Sequence, residues 1–282
     1  MNTPLVIDDP KAMTAWAYAV RARGARIGFV PTMGFLHEGH QALLKEGRRR
    51  SDELVMSLFV NPTQFGPTED LERYPRDWDG DLAKAGAEGT SVVFAPSPQA
   101  MYPHGYQTTV DVEVVSQGLC GDRRPGHFRG VATVVTKLFQ IVRPDVAVFG
   151  EKDYQQLAVI RRLVTDLNLG IEIVGLATVR EADGLAMSSR NTYLSPAERQ
   201  RALSLSKGLS AAVALWGRGE RSAAALRAAA YAELSGQVDR LEYLEIRDAE
   251  TLVPVETAKA PAVILVAAGI GRTRLIDNMR LP

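Results

Sequence analysis

The stretch RIGFVPTMGFLHEGHQALLKEGRRR, residues 26–50, decides how the chain is read. Its first five residues form an apolar run without polar alternation, the signature of a strand covered on both faces. From His37 onward it reads as helix, with Leu43 and Leu44 as apolar anchors and Arg48, Arg49 and Arg50 at the negative end of the dipole. Gly34 lies between them, and the helix opens on Gly39 and two of the chain's four histidines, His37 and His40. Three residues apart, the imidazoles share one face of the first helical turn, where backbone N–H groups already attract anions. Polar residues fraying into solvent would give the same spacing. The glycines, which let a ligand approach the backbone closely, tip the reading towards a phosphate site. A zinc site is disfavoured, because the zincin pattern needs H-E-x-x-H and here the string is H-E-G-H with no third ligand nearby.

Working outward, the same alternation recurs. ELVMSLFV (53–60), TSVVFA (90–95), DVAVFG (145–150) and IEIVGLATV (171–179) read as further buried strands. GVATVVTKLFQIV (130–142) places Val131, Val134, Val135, Leu138 and Phe139 on one helical face, and DYQQLAVIRRLVTDL (153–167) is a second helix of this kind. Repeated strand–helix–strand units with right-handed crossovers imply an α/β fold, a doubly wound Rossmann-like parallel sheet. QTTVDVEVV (107–115) alternates Val110, Val112 and Val114 with polar residues, so it reads as a half-exposed strand or an excursion from the main sheet. The character changes near residue 190. Ser195, Pro196 and Glu198 spell a capped helix start, an Ala-rich helix runs from Ser222 to about Leu234, and LEYLEIRD, AVILVAAG and TRLIDNM are strand-like. A smaller C-terminal α+β domain is expected, giving a division into 1–188 and 189–282.

Four polar clusters each follow an expected strand: PTMGFLHEGH, NPTQFG (61–66), GEKDYQQ (150–156) and READGLAMSSRN (180–191). Strand carboxyl ends of a parallel sheet share one edge, and ligands bind there. Lys152 alone would be an ordinary exposed lysine. MSSR (187–190) offers two hydroxyls and a guanidinium, a composition suited to gripping phosphate, and also suits a hinge. Gln64 and Gln156 can hold hydroxyls or carboxylates without adding charge. No G-x-x-x-x-G-K-[ST] occurs, and GIGRTR (269–274) lacks the third glycine of a dinucleotide fingerprint.

Lys+Arg and Asp+Glu balance at 33 each, which argues against nucleic acid as a partner and leaves room for one small phosphate-bearing ligand. Cys120 is the only cysteine, so no disulfide framework or multi-cysteine zinc site is expected, and a passive small residue is the favoured reading. The first residues carry acids where a signal peptide has basic ones, and APAVILVAAGIG (260–271) is too short to span a bilayer. A cytoplasmic protein without membrane partners is expected.

HEGH resembles the HxGH signature of class I nucleotidyltransferases and aminoacyl-tRNA synthetases, and MSSR resembles their mobile phosphate loop. The longer strings PTMGFLHEGH, NPTQFGPTEDLERYPRD, GHFRGVATVVTKLFQIVRPDVAVFGEKDYQQL, VREADGLAMSSRN and TRLIDN are similar to those of the pantothenate synthetase family, the pantoate–β-alanine ligases. That resemblance implies ATP-dependent joining of pantoate to β-alanine through an adenylate, with Mg2+ accompanying ATP, in a homodimer whose C-terminal domain covers the site. It implies an ATP site of Met33, Gly34, Phe35, Leu36, His37, Glu38, Gly39, His40, Gly150, Glu151, Lys152, Asp153, Val179, Met187, Ser188, Ser189 and Arg190. His40 is implied as proton donor, with His37, Lys152 and Arg190 as further catalytic groups. Gln64 and Gln156 would hold pantoate, Gln64 β-alanine also, and Asp81 is a candidate for the metal. Phe35 departs from the small alanine usual in the family. Arg124, His127 and Arg129 form a basic cluster, read either as a carboxylate or phosphate contact or as a solvated loop. The rival reading is an HxGH nucleotidyltransferase acting on a phosphorylated acceptor.

Overall fold

The computed structural model describes residues 3–67 and 69–282; Thr68, inside the NPTQFGPTED string, lies outside the described residues. From the N-terminus the elements are β1 (Leu5–Ile7), α1 (Pro10–Ala22), β2 (Ile27–Thr32), α2 (Glu38–Arg49), β3 (Glu53–Leu58), α3 (Trp78–Ala87) and β4 (Val92–Phe94). There follow α4 (Pro98–Met101), α5 (Leu119–Arg123), α6 (His127–Val142), β5 (Val146–Gly150), α7 (Tyr154–Asp166) and β6 (Glu172–Leu176). The chain ends with α8 (Pro196–Gly217), α9 (Ala223–Leu234), β7 (Arg240–Asp248), β8 (Ala262–Ile270) and β9 (Thr273–Leu281). Two compact units result. The larger takes residues through Ser116, Arg124–Glu151 and Val159–Ala177; the smaller takes Gln117–Arg123, Lys152–Ala158 and Thr178–Pro282.

The larger unit holds one six-stranded parallel sheet in the order β1-β4-β3-β2-β5-β6. The strand order reverses direction between β2 and β5, so the loop after β2 starts at the topological switch point, where such sheets bind ligands. Every strand expected in this unit forms. β1 was not anticipated: three residues are too few to show a period, and pairing with β4 creates the strand. Phe139 of α6 meets Phe29 of β2 and Phe149 of β5 edge to face, with centroids 6.2 and 6.3 Å apart, so the apolar face of α6 packs on the centre of the sheet.

Residues 107–115 are the excursion rather than a strand. They join no sheet, and Val110 N–H donates to the Thr133 hydroxyl of α6 (2.9 Å) in place of a ladder partner. Val112 and Val115 are buried while Val114 is exposed, so burial does not follow the alternation and the segment is anchored at two points.

In the smaller unit, β7, β8 and β9 form an antiparallel sheet, and α8 and α9 pack on one face through Leu205, Leu209, Leu226, Ile264 and Val266. α8 starts as its sequence spells out: Ser195 Oγ accepts from Glu198 N–H, and the Glu198 carboxylate accepts from Ser195 N–H (2.8 Å). The other face carries Tyr243, Leu265, Asn278 and Arg280, and meets the 117–123 and 152–158 segments. The Cys120 thiol lies 3.2 Å from the Tyr243 hydroxyl, and Arg280 lies over the Tyr154 ring.

Candidate active site

In the larger unit, β2 ends at Thr32 and the chain turns through two left-handed residues, Gly34 (φ +87°) and Phe35 (φ +54°). A side chain at positive φ costs roughly 1–2 kcal/mol, so something must hold Phe35 there. Asp81, from the first turn of α3, does so: one carboxylate oxygen accepts Phe35 N–H (2.8 Å) and the other Leu36 N–H (2.7 Å). Leu36 then drops into a core with Leu44, Leu54, Met56 and Val148. Burial pushes the Asp81 pKa up and outweighs the two N–H donors that pull it down.

α2 starts on the histidines themselves. His37 Nδ1 accepts from Gly39 N–H (3.1 Å), and His40 Nδ1 accepts from His37 N–H (3.2 Å). These bonds form a capping box in which imidazoles replace the usual Ser and Glu. An Nδ1 that accepts has no proton, so each neutral ring carries its hydrogen on Nε2. The rings lie in contact, tilted by 37° with centroids 4.0 Å apart. The histidines therefore cap the helix with one nitrogen and keep an N–H donor on the other.

Gln64 sits on the 3-10 turn Pro62–Gln64 after β3, and its amide is oriented. Buried Asn61 donates through Nδ2 to Gln64 Oε1 (3.0 Å) and to Gly130 O (3.2 Å), while its Oδ1 accepts from Tyr102 OH (2.8 Å) and Thr63 Oγ1 (3.0 Å). With its oxygen engaged, Gln64 turns its NH2 group towards Met33 Sδ (3.5 Å) at the nucleotide loop. A Cβ on Gly130 would stand 2.4 Å from Thr63 O, so only glycine lets α6 approach this turn. Asn61, Tyr102 and Gly130 escaped the sequence reading; the tripeptide Asn61-Pro62-Thr63, a capped turn directly after a strand, was the available signal for the first.

Within the basic cluster, Arg124 and His127 are engaged inside the fold. Arg124 forms a bidentate pair with Glu69 (2.6 and 2.6 Å) and donates to His127 Nε2 (2.9 Å), so His127 Nδ1–H donates to Gln64 O (2.9 Å). These groups brace the Gln64 turn. Burial raises the Glu69 pKa, but Arg124 outweighs it and holds the carboxyl below its ordinary value. Arg129 pairs with Asp111 at the surface (2.9 Å).

In the smaller unit, Lys152 and Asp153 close the short turn after β5. The adjacent glutamines divide their work. Gln155 is buried and tied to Cys120 N–H, Gln117 O and Gly118 O (3.0, 3.1 and 3.2 Å), whereas Gln156 is half-buried. Val179–Met187 is a hairpin closed by Met187 N–H to Val179 O (3.0 Å), with Arg180 bridging Ala186. Ser188 Oγ accepts from Arg190 N–H (3.3 Å), and Asn191 Nδ2 donates to Glu181 (2.7 Å) and Ala186 O (3.0 Å). Arg199 pairs with both Glu181 and Asp183 (2.6 Å each).

Met33, Phe35, Leu36, His37, His40 and Gln64 thus lie together in the larger unit with Gly34 and Gly39 between them, and Lys152 and Met187–Arg190 belong to the smaller. Gly150 ends the larger unit's β5, Glu151 starts the turn that follows it, and Glu38 is exposed. Among the described residues no three His, Cys, Asp or Glu side chains cluster as a metal site, and both Asp81 oxygens hold the loop backbone.

The model of the pantoate–β-alanine ligase family matches residues 5–280. The chain belongs to that family. It is 60% identical to the pantothenate synthetase of Myxococcus xanthus over 99% of this chain and 96% of that one, and 59% identical to that of Anaeromyxobacter dehalogenans over the whole of both. The pantothenate synthetase structure from Thermus thermophilus superposes with a TM-score of 0.92 at 44% identity, over 98% of this chain and 99% of that one. The Francisella tularensis ligase, solved as a complex with β,γ-ATP and β-alanine, superposes with a TM-score of 0.80 at 32% identity, over 99% and 98%. Ligases of this family therefore share both the sheet and the three-stranded unit described above. No helix among the described residues is long and apolar enough to cross a membrane.

Proposed function

We propose that this chain condenses pantoate with β-alanine at the expense of ATP, releasing AMP and pyrophosphate through a pantoyl-adenylate. The observation that carries the reading is the imidazole cap of α2, which leaves His37 and His40 with Nε2–H donors beside the positive end of a helix dipole. Such donors suit a triphosphate and do not suit a metal, which would need an imidazole nitrogen without its proton.

A carboxylate does not form an amide at neutral pH because its oxygen leaves poorly. One oxygen of the pantoate carboxylate attacks the α-phosphorus of ATP, forming a P–O bond as the bond to the pyrophosphate oxygen breaks. The β-alanine amine then adds to the acyl carbon and AMP departs with the electron pair of the C–O bond. In the first step charge accumulates on the leaving pyrophosphate. His37, His40, Lys152, Ser188, Ser189 and Arg190 neutralise it, and no covalent bond to the protein is required. Gly34–Leu36, Glu38, Gly39, Gly150, Glu151, Asp153, Val179 and Met187 supply backbone and shape to the nucleotide site. Gln64, turned by Asn61, and Gln156 hold pantoate, and Gln64 also serves β-alanine. Magnesium fits no dedicated cage here, since Asp81 is committed to the loop. An ion carried by the phosphates needs few protein ligands, and no step above passes through it. The domain division 1–188 and 189–282, a cytoplasmic homodimer and a lid role for the C-terminal part complete the proposal; an acyl-adenylate must be kept from water.

The test is pyrophosphate release with ATP, pantoate and β-alanine supplied singly and together. Release with ATP and pantoate alone, limited to about one equivalent until β-alanine is added, is the expected result. A phosphorylated acceptor that supports turnover in place of pantoate would overturn it, as would heavy oxygen from pantoate appearing in any product other than AMP and pantothenate.

A further inference from the structure

The string TRLIDN lies far in sequence from every proposed catalytic group, yet two of its residues touch the segments that carry them. Asp277 and Asn278 are adjacent on β9, both buried, and opposite in direction, as successive strand residues are. Asp277 opposes Val266, on the face covered by α8 and α9. Its carboxylate takes a bidentate pair from Arg180 (2.7 and 3.0 Å), and Arg180 also donates to Gly184 O (3.1 Å) and Asn278 O (3.3 Å). That set of bonds fastens both limbs of the 179–187 hairpin, which leads into Ser188–Arg190, to one strand. Asn278 faces the other way, and its Nδ2 donates to the backbone oxygen of Lys152 (2.9 Å).

We infer that the Asp277–Asn278 pair of β9 is a positioning device for the ligase reaction, holding the Lys152 backbone on one face of the strand and, on the other, the 179–187 hairpin that leads into Ser188–Arg190. Neighbouring Cα atoms of a chain are 3.8 Å apart, so a dipeptide gripping two segments sets the spacing between them with little slack. Misplacing a group that neutralises a leaving anion lowers the rate more than it lowers substrate affinity, because the charge is greatest in the transition state. Neither residue needs to touch substrate. Asn278 acts through Lys152, and Asp277 acts through Arg180.

The inference rests on the proposed role of Lys152, and the experiment separates the two. Pyrophosphate release in the first half-reaction is measured under single turnover for Asn278→Ala, Lys152→Ala and the double variant, with urea unfolding of each. Asn278→Leu, similar in volume to asparagine, carries the test if the alanine variant does not fold. The expected result is that Asn278→Ala slows release about tenfold, the scale of one hydrogen bond, with KM for pantoate unchanged and the urea midpoint of a folded protein. In the Lys152→Ala background it adds less than about twofold. A normal rate in Asn278→Ala, or an undiminished tenfold loss in the Lys152→Ala background, overturns the inference. If Lys152→Ala itself releases pyrophosphate normally, the role of Lys152 is wrong and the positioning claim falls with it.

Discussion

The two loops proposed to meet the phosphates are held by different physics. The 33–40 loop of the larger unit is fixed by backbone hydrogen bonds to one buried carboxylate and by a helix cap made from its own side chains. The 179–191 segment of the smaller unit is fixed by guanidinium–carboxylate pairs, Arg180 with Asp277 and Arg199 with Glu181 and Asp183. A loop held by its own backbone has few ways to move without breaking several bonds at once. A loop held by ion pairs can re-form after displacement, and here the partly exposed Arg199 pairs respond to salt while the buried Arg180–Asp277 pair is screened little. The first is suited to presenting donors in a constant place, the second to closing on phosphate and releasing it.

The largest effects should come from the donors themselves, one on each side of the comparison. His40→Ala and Lys152→Ala are each expected to lose 10²–10³ in the rate of pyrophosphate release, about 3–4 kcal/mol. Circular dichroism and urea midpoints should remain near those of the wild type for Lys152→Ala. His40→Ala also loses half of the capping box, worth about 1 kcal/mol, so it should melt slightly earlier. Equal stability of the two variants would show that the cap at His40 is not holding α2.

Next in size is Arg180→Gln, which leaves the Asp277 carboxylate buried without its partner. Breaking such a pair costs about 3–5 kcal/mol, and the lower end applies because Arg180 keeps partial exposure. The measurement is urea unfolding. A loss below 1 kcal/mol would place this pair with ordinary surface ion pairs and show that it does not anchor the 179–191 segment. Arg199→Gln, whose partners are all partly exposed, should cost at most about 1 kcal/mol.

The contrast also separates what could be read from the sequence. Apolar runs named five of the six strands of the parallel sheet, and Ser195-Pro196-Ala197-Glu198 named the start of α8 to the residue, because strand burial and helix capping are local properties. The histidine loop was legible for the same reason. Asp81 was noticed only as a candidate for the metal, since nothing in WDGDL says that its oxygens point back to a loop 45 residues earlier. Arg124 and His127 were read as a ligand contact or a solvated loop, and their bracing with Glu69 went unread, as charges separated by 55 residues pair only once the chain has folded. Asp277 and Arg180, 97 residues apart, were quoted in separate strings with no reason to join them.

The smallest expected effect is a difference in acid response. Burial raises the pKa of Asp81, whereas at Asp183 burial is outweighed by Arg199 and the Leu185 N–H, so that its pKa is lowered. A raised folded pKa means that Asp81 binds its proton more tightly in the folded state. Its contribution to stability is therefore full below the unfolded value and is lost as pH rises through the folded value. Asp183 and Glu69 behave oppositely, stabilising above their unfolded values and losing that contribution as pH falls through their lowered folded ones. On acidification Asp81 is protonated before Asp183, whose pair with Arg199 remains intact. A protonated carboxyl offers one fewer acceptor, so it cannot keep both Phe35 N–H and Leu36 N–H, and the nucleotide loop loosens in a molecule that is still folded. KM for ATP should then rise severalfold towards the acid end of the folded range, ahead of any change in circular dichroism. Asp81→Asn, which keeps one acceptor and cannot titrate, should show a raised and nearly pH-independent KM over the same range. An acid limb of KM that survives unchanged in Asp81→Asn would assign the response to another group and would leave the two loops alike in their sensitivity to acid.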